Sequence, residues 1–192
     1  MPNFWTSPNR DPKRAYRFLV TLPNFDGGAT WYAKSATKPK FNVTNQEHKY
    51  INHTFNYPGR VTWDTVTVTL VDPVDPNAAR QVAEILGASG YSIPASENAN
   101  ITTVNKKQAT EALSTVTITQ IGETDQDILE EWRLQQCWVE AASFSELSYE
   151  SEDLSTVELT LRFDWAELTT YDTDGTRRVF FKQSEDGTAA SN

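Results

Sequence analysis

At 192 residues the chain is long enough for one domain with a sizeable core and some peripheral extension. Its composition, 38% hydrophobic and 22% charged, excludes wholesale disorder, and one cysteine, Cys137, excludes a disulfide within the chain. The net charge of −9 argues against tight binding to nucleic acid. The N-terminal stretch lacks the apolar segment of a signal peptide, and no run approaches the roughly 18 apolar residues of a membrane helix. The expectation is a soluble protein, not bound to a membrane and kept in a reducing cytoplasm.

The chain's 24 Thr, 6 Trp, 7 Tyr and 9 Phe favour strands, so a mainly β protein is expected. The charge is unevenly placed. Residues 1–60 hold nine Lys/Arg against three Asp/Glu, residues 61–120 three against six, and residues 121–192 five against seventeen. Folding either intermixes these segments or leaves a basic end and an acidic end. The second outcome suits head-to-tail association between copies.

Residues 1–12 contain three prolines and no periodicity, and read as an N-terminal arm. From Lys13 to Leu22, Tyr16, Phe18, Val20 and Leu22 alternate as in a strand. Phe25-Asp26-Gly27-Gly28 is a turn signal and a second strand is expected over Thr30–Ala36, the two forming a hairpin. Residues 40–57 alternate irregularly through Phe41, Val43, Tyr50, Ile51, Phe55 and Tyr57. They read as a long exposed ribbon or loop, closed by Pro58-Gly59. Val61–Val71 is the next strand, with Val66, Val68 and Leu70 on one face.

Asp75 followed by Pro76 predicts the start of the one short helix, about 75–87, burying Ala79, Val82, Ala83 and Leu86. Residues 88–112 read as a long polar loop with at most a partial helix. Strands are expected again at Ser114–Ile121 and at Glu131–Val139, the latter with Trp132, Leu134 and Trp138 on one face. An acidic connection over 140–153 leads to the most regular stretch, Ser155–Leu168. There Val157, Leu159, Leu161, Phe163 and Trp165 alternate with Glu158, Thr160, Arg162 and Asp164, which marks the centre of a β core. Asp174-Gly175 predicts a last hairpin between Tyr171 and Val179-Phe180-Phe181, and a polar tail follows from residue 183.

A search for chemistry finds little. His48 and His53, the only histidines, fall on opposite faces of a single strand and so make no ligand pair. Cys137, in a predicted strand beside Trp138, reads as a small buried hydrophobe. Asp172-Thr173-Asp174-Gly175 imitates part of a calcium loop, but aligned on the glycine it places Thr170 and Phe181 where acidic ligands belong. The acidic residues around Glu130 and Glu131 and around Asp125 and Asp127 are explained by solvated surface charge more simply than by a glycosidase pair. Phosphate-binding and nucleophile-elbow motifs are absent, and the N-x-T triplets at Asn42, Asn52 and Asn100 are what a threonine-rich chain generates by chance. No catalytic residue, metal or cofactor is expected, and the chain is not read as an enzyme. Trp132, Trp138 and Trp165 could form a stacking platform, which keeps a carbohydrate-binding β-sandwich as an alternative of a different class; core packing is the simpler role.

Two stretches carry a resemblance. The first is Ala33-Lys34-Ser35-Ala36-x-x-Pro39 with Pro58-Gly59-Arg60-x-Thr62-Trp63-Asp64-x-Val66-Thr67-Val68-Thr69. The second is Leu147-x-Tyr149 with Leu154-x-x-Val157-x-Leu159-Thr160-Leu161-x-Phe163-Asp164-Trp165. In this order the chain resembles the tail tube proteins of contractile-tailed, T-even-like bacteriophages over residues 13–167. The resemblance implies a single-domain β-barrel or sandwich over 13–168, with 169–192 as a C-terminal extension. It further implies hexameric rings stacked into a tube within the virion, beside sheath, baseplate and tape-measure proteins. DNA would pass through the lumen without specific binding, and the acidic residues after 120 would suit an acidic lumen. Lys38, Lys40, Lys49 and Tyr50 are then candidate contacts between subunits, and Glu158 and Thr160 candidate lumen-facing residues. A tube-like baseplate or tail-terminator protein and a secretion-system tube homologue remain alternatives within the structural class.

Overall fold

In the computed structural model, which describes residues 12–24, 32–94, 102–124, 126–150, 152–172 and 175–183, period-two alternation builds two facing sheets. In chain order the strands are β1 (Phe18–Thr21), β2 (Ala33–Ala36), β3 (Phe41–Tyr50), β4 (His53–Trp63) and β5 (Val66–Val71). Two helices follow, α1 (Ala78–Ala88) and α2 (Lys106–Leu113). The remaining strands are β6 (Val116–Ile121), β7 (Ile128–Gln135), β8 (Trp138–Phe144), β9 (Thr156–Arg162), β10 (Trp165–Tyr171) and β11 (Arg177–Phe180). One sheet runs β1-β6-β7-β10-β11, the other β2-β5-β9-β8, and β3-β4 is a two-stranded ribbon by itself. Within the subunit this is a sandwich, and neither sheet closes into a barrel.

The core lies between the sheets. Val66, Val68 and Leu70 of β5 and Val157, Leu159 and Leu161 of β9 are fully buried, alternating with Thr67, Thr69, Glu158 and Thr160 on the other side. Opposite them stand Val20, Val116, Ile118, Leu134 and Ala166 of the five-stranded sheet. Truncating one of these leucines to alanine costs about 2–5 kcal/mol, since the site cannot fully collapse.

Three predicted strands are divided, Val61–Val71 first, its start belonging to β4 and its remainder from Val66 to β5 of another sheet. The stretch expected as one strand over Glu131–Val139 leaves the five-stranded sheet at Gln135 and enters the four-stranded sheet at Trp138. Gln136, at φ 55°, makes the corner, with Cys137 buried beneath it. Ser155–Leu168 divides likewise, β9 and β10 belonging to different sheets. The Asp164 amide donates to the Gln135 carbonyl at 3.1 Å, so the two corners brace each other. Trp165 thereby leaves the alternating apolar set, because the buried apolar residue of β10 is its neighbour Ala166. Trp138 also departs from Trp132 and Leu134, standing in the other sheet.

The hairpin expected from the first two strands does not form: β1 pairs with β6 and β2 with β5. The turn signal at 25–28, most of the 1–12 arm and the tail after 183 lie outside the described residues. The expected terminal hairpin is present as β10–β11, with Tyr171 opposite Arg177 and Gly175 at φ 81°. β10 spans residues 165–171, so the boundary expected at 168 falls inside a strand.

There are two helices among the described residues where one was expected. The Asp72 carboxylate accepts from the Ala78 amide at 3.0 Å and Asn77 Oδ1 from the Arg80 amide at 2.7 Å. These acceptors start α1 at Ala78, later than the Asp75-Pro76 signal. The buried face is Ala78, Gln81, Val82 and Ile85, leaving Leu86 48% exposed. α2, capped by Asn105, buries only Ala109 and Leu113, too few apolar positions to announce a helix in sequence.

Candidate assembly surfaces

Cross-strand partners place Thr37, Thr67, Thr160 and Ala141 in one row across the outer face of the four-stranded sheet. Ser35, Thr69, Glu158 and Ser143 form the next row. Glu158 is the carboxylate among these short, mostly hydroxylated side chains. Most acids of the C-terminal segment lie elsewhere, in turns, in the loop after β8 or on the other sheet.

Both edges of this sheet, β2 and β8, lack a strand partner among the described residues. An unpaired edge offers a row of backbone donors and acceptors to another chain. Lys34 and Lys38 lie on or beside β2, Lys13 lines the cleft between β1 and β2, and Lys34 also shares a pocket with Glu146 and Asp153. At the other edge, Glu140 sits in the β8 bulge, and Glu146, Glu150, Glu152 and Asp153 follow in the loop to β9.

Lys38 is 47% exposed in its side chain and directs its ammonium inward, to Glu130 Oε1 at 2.8 Å and Gln120 Oε1 at 2.7 Å. Lys13 also donates to Glu130, as does the Trp132 indole at 2.6 Å. Burial alone would raise the Glu130 pKa, but the hydrogen bonds from Lys13, Lys38 and Trp132 and the Lys38 charge outweigh it and hold it at about 2.

Lys40 pairs with Asp64 at 3.4 Å at the base of the β3–β4 ribbon, whereas Lys49 and Tyr50 lie near its tip. The four candidate contact residues are thus not one cluster. The ribbon is exposed along almost its whole length, with Tyr50, Ile51, Phe55, Tyr57 and Val61 open to solvent. A two-stranded ribbon of this composition calls for a further partner.

β4 runs through Pro58-Gly59, which were expected to end the ribbon. They sit instead at a register shift between Val43/Val61 and Asn45/Pro58. Thr44 Oγ1 accepts there from the Arg60 amide at 2.9 Å, and a Cβ at Gly59 would lie 2.2 Å from that oxygen. The extra residue changes which side the apolar groups occupy. Near the body, Phe41, Val43, Val61 and Trp63 share one face. Toward the tip, Phe55 and Tyr57 join His48, Tyr50 and His53 on the opposite face. The histidines lie on paired strands and share that face, contrary to the single-strand expectation. The body end is anchored by aromatic contacts of Trp63 with Phe163 and Phe181 at 5.9 and 5.8 Å. Phe41, Val61, Trp63, Trp165 and Phe181 line an apolar groove of about 400 Å³.

The tryptophans form no common platform: Trp132 lines the cleft beside β1 and β2, Trp165 the ribbon groove, and Trp138 stands opposite Arg162 at the β8 edge. Cys137 is buried, which pushes its thiol up to about 12 despite a hydrogen bond from the Trp138 amide. Among the described residues no cluster of His, Cys, Asp or Glu could hold a metal, and no helix is long and apolar enough to cross a membrane. Sequence reading missed the two sheet edges and the β8–β9 loop, where Leu147, Tyr149 and Leu154 are strongly exposed. Their signal was three large apolar residues without periodicity in an acidic segment.

The class defined by this architecture is a two-sheet sandwich with flanking helices and a long free hairpin, the fold of contractile-injection tube and terminator proteins. One similar solved structure is a chain of the anti-feeding prophage cap, a tube-terminating cap. It shares 17% identity at a TM-score of 0.60, over 83% of this chain and 92% of that one. Another is a chain of the sheath/tube terminator of the extracellular contractile injection system PVC in its extended state. That match has 16% identity and a TM-score of 0.59, over 82% of this chain and 96% of the other. A chain of the PVC sheath–tube complex matches at 14% identity and a TM-score of 0.56, over 83% and 92%. No protein-family model and no curated protein matches the sequence.

Proposed function

We propose that this chain is a structural, non-enzymatic subunit of a phage tail tube, assembled as hexameric rings stacked within the virion. The observation that carries this reading is the four-stranded sheet with two unpaired edges and a hydroxyl-rich outer face. β2 and β8 run in opposite directions, so β8 of one copy can add to β2 of the next as an antiparallel partner. Six copies of a four-stranded sheet would close into a barrel of about 24 strands, which removes every edge.

Closure in this sense turns Glu158 and Thr160 toward the lumen. The lumen is then lined largely by hydroxyls with a ring of Glu158 carboxylates, and Arg162 on the same face of β9 is held by Glu140 at 3.0 Å. Tape-measure protein would occupy it first and DNA would pass later, while sheath and baseplate meet the outside and ends. Lys49 and Tyr50 on the projecting ribbon contact a neighbouring subunit; Lys38 and Lys40 serve chiefly to position its base.

A terminator of the same tube is the second reading, favoured by two of the similar structures being a tube-terminating cap and a sheath/tube terminator. Negative-stain microscopy of the purified protein should show rings or hollow rods; a chain that stays monomeric at all concentrations and never enters particles contradicts both readings. Copy number per particle separates them, a tube subunit being present in many rings and a terminator in one.

A further inference from the structure

Among the described residues nothing covers the apolar groove at the base of the ribbon. Phe41, Val61 and Phe181 stand about half exposed in it beside Trp63 and Trp165, and Gln183, the last described residue, also lines it. The Trp165 indole N–H is shut off from solvent and has no hydrogen-bond partner, a costly state for a buried donor. The groove therefore fits a segment that brings both aromatic area and a backbone carbonyl. Residues 184–192 leave from the groove itself but hold no large apolar residue. Phe25 and Trp31 belong to a short loop whose two ends are fixed elsewhere. Asn24 Nδ2 donates to the Glu111 and Ala112 carbonyls, and the Tyr32 carbonyl accepts from the Val71 amide at the far end of β5. That leaves the N-terminal arm, which carries Phe4-Trp5.

We propose that Phe4-Trp5 docks in this groove of its own chain. Pro12, the first described residue, lines a cleft with Tyr171 and Asp172. From Tyr171, β10 leads back to Trp165 over its seven residues, about 20 Å. Trp5 precedes Pro12 by seven residues, which span about 23–25 Å when extended. The arm thus reaches the groove by following β10 and β11. β11 is an edge strand with β10 as its one neighbour in the sheet, so an arm passing beside it meets free backbone donors and acceptors. The Trp5 ring would lie against Phe41, Trp63 and Phe181, extending the edge and tilted contacts those rings already make. A carbonyl of the arm would accept from the Trp165 indole after a small turn of that ring. Phe41, Val61 and Trp63 belong to the ribbon, whereas Trp165 and Phe181 belong to the body. Filling the groove ties the two together and fixes the angle at which the ribbon projects. The contact lies within one chain and does not depend on the tube reading.

The test uses the full chain carrying Thr6→Cys and Gln183→Cys, oxidised mildly at low protein concentration; native Cys137 is buried in the core. The expected product is a disulfide within one chain, its yield lowered about tenfold when Phe4→Ser and Trp5→Ser are added. A disulfide that forms only between chains, seen when Thr6→Cys chains are mixed with Gln183→Cys chains, assigns the arm to a second copy and overturns the proposal. A second measurement follows the Trp165 indole N–H by nuclear magnetic resonance, its signal assigned with Trp165→Phe. That signal should shift, and exchange with solvent faster, in the chain carrying Phe4→Ser and Trp5→Ser alone. An unmoved indole signal together with no disulfide inside the chain overturns the proposal as well, and leaves the tube reading untouched.

Discussion

Glu130 accepts hydrogen bonds from Lys13, Lys38 and Trp132 at the cleft between β1 and β2, and its side chain is only 11% exposed. Its pKa falls from 4.5 to about 2 on folding, so its stabilisation is present above about pH 4.5 and lost as pH falls toward 2. Glu130→Gln should therefore cost about 2 kcal/mol at pH 7 and almost nothing near pH 2. Urea titrations at the two pH values check this, and an equal loss at both would assign the effect to shape instead of charge. The Glu130 cluster was not legible in sequence, where Glu130 and Glu131 read alike as surface acids. Their alternation puts Glu131 toward Arg133 two residues along, whose Nε lies 2.7 Å away, while only the pairing of distant segments brings Lys13 and Lys38 to Glu130.

At the scale of elements, period-two alternation located most strands but not their ends. Within the expected Val61–Val71, the part from Val66 was legible because buried Val66, Val68 and Leu70 alternate with Thr67 and Thr69. The corners at Gln136 and Asp164 were not, since apolar residues continue through both and a change of sheet leaves no gap in the pattern. The ribbon shows the same limit in another form. Phe55, Tyr57, Val61 and Trp63 share a parity that suggests one apolar face, yet the bulge moves the distal pair to the other side. Gly59→Val should force that bulge open, because its Cβ would overlap Thr44 Oγ1. The expected result is unchanged thermal stability of the sandwich, since β3–β4 is a separate sheet, with assembly reduced at least several-fold. Calorimetry and sedimentation measured together check this; a lowered Tm with normal assembly would place the bulge's role in folding.

For the whole molecule, folding intermixes much of the uneven charge seen along the chain: Lys13 and Lys38 pair with Glu130, and Lys34 lines one pocket with Glu146 and Asp153 of the β8–β9 loop. The central claim is that β8 of one copy pairs with β2 of the next, turning Glu158 and Thr160 inward. Hydrogen exchange compares the amides of Ala33–Ala36 and Trp138–Phe144 in assembled particles and in monomers. Strong protection of both edges on assembly, together with shielding of the β3–β4 tip, is the predicted result. Edge amides that exchange as fast in particles as in monomers would contradict it.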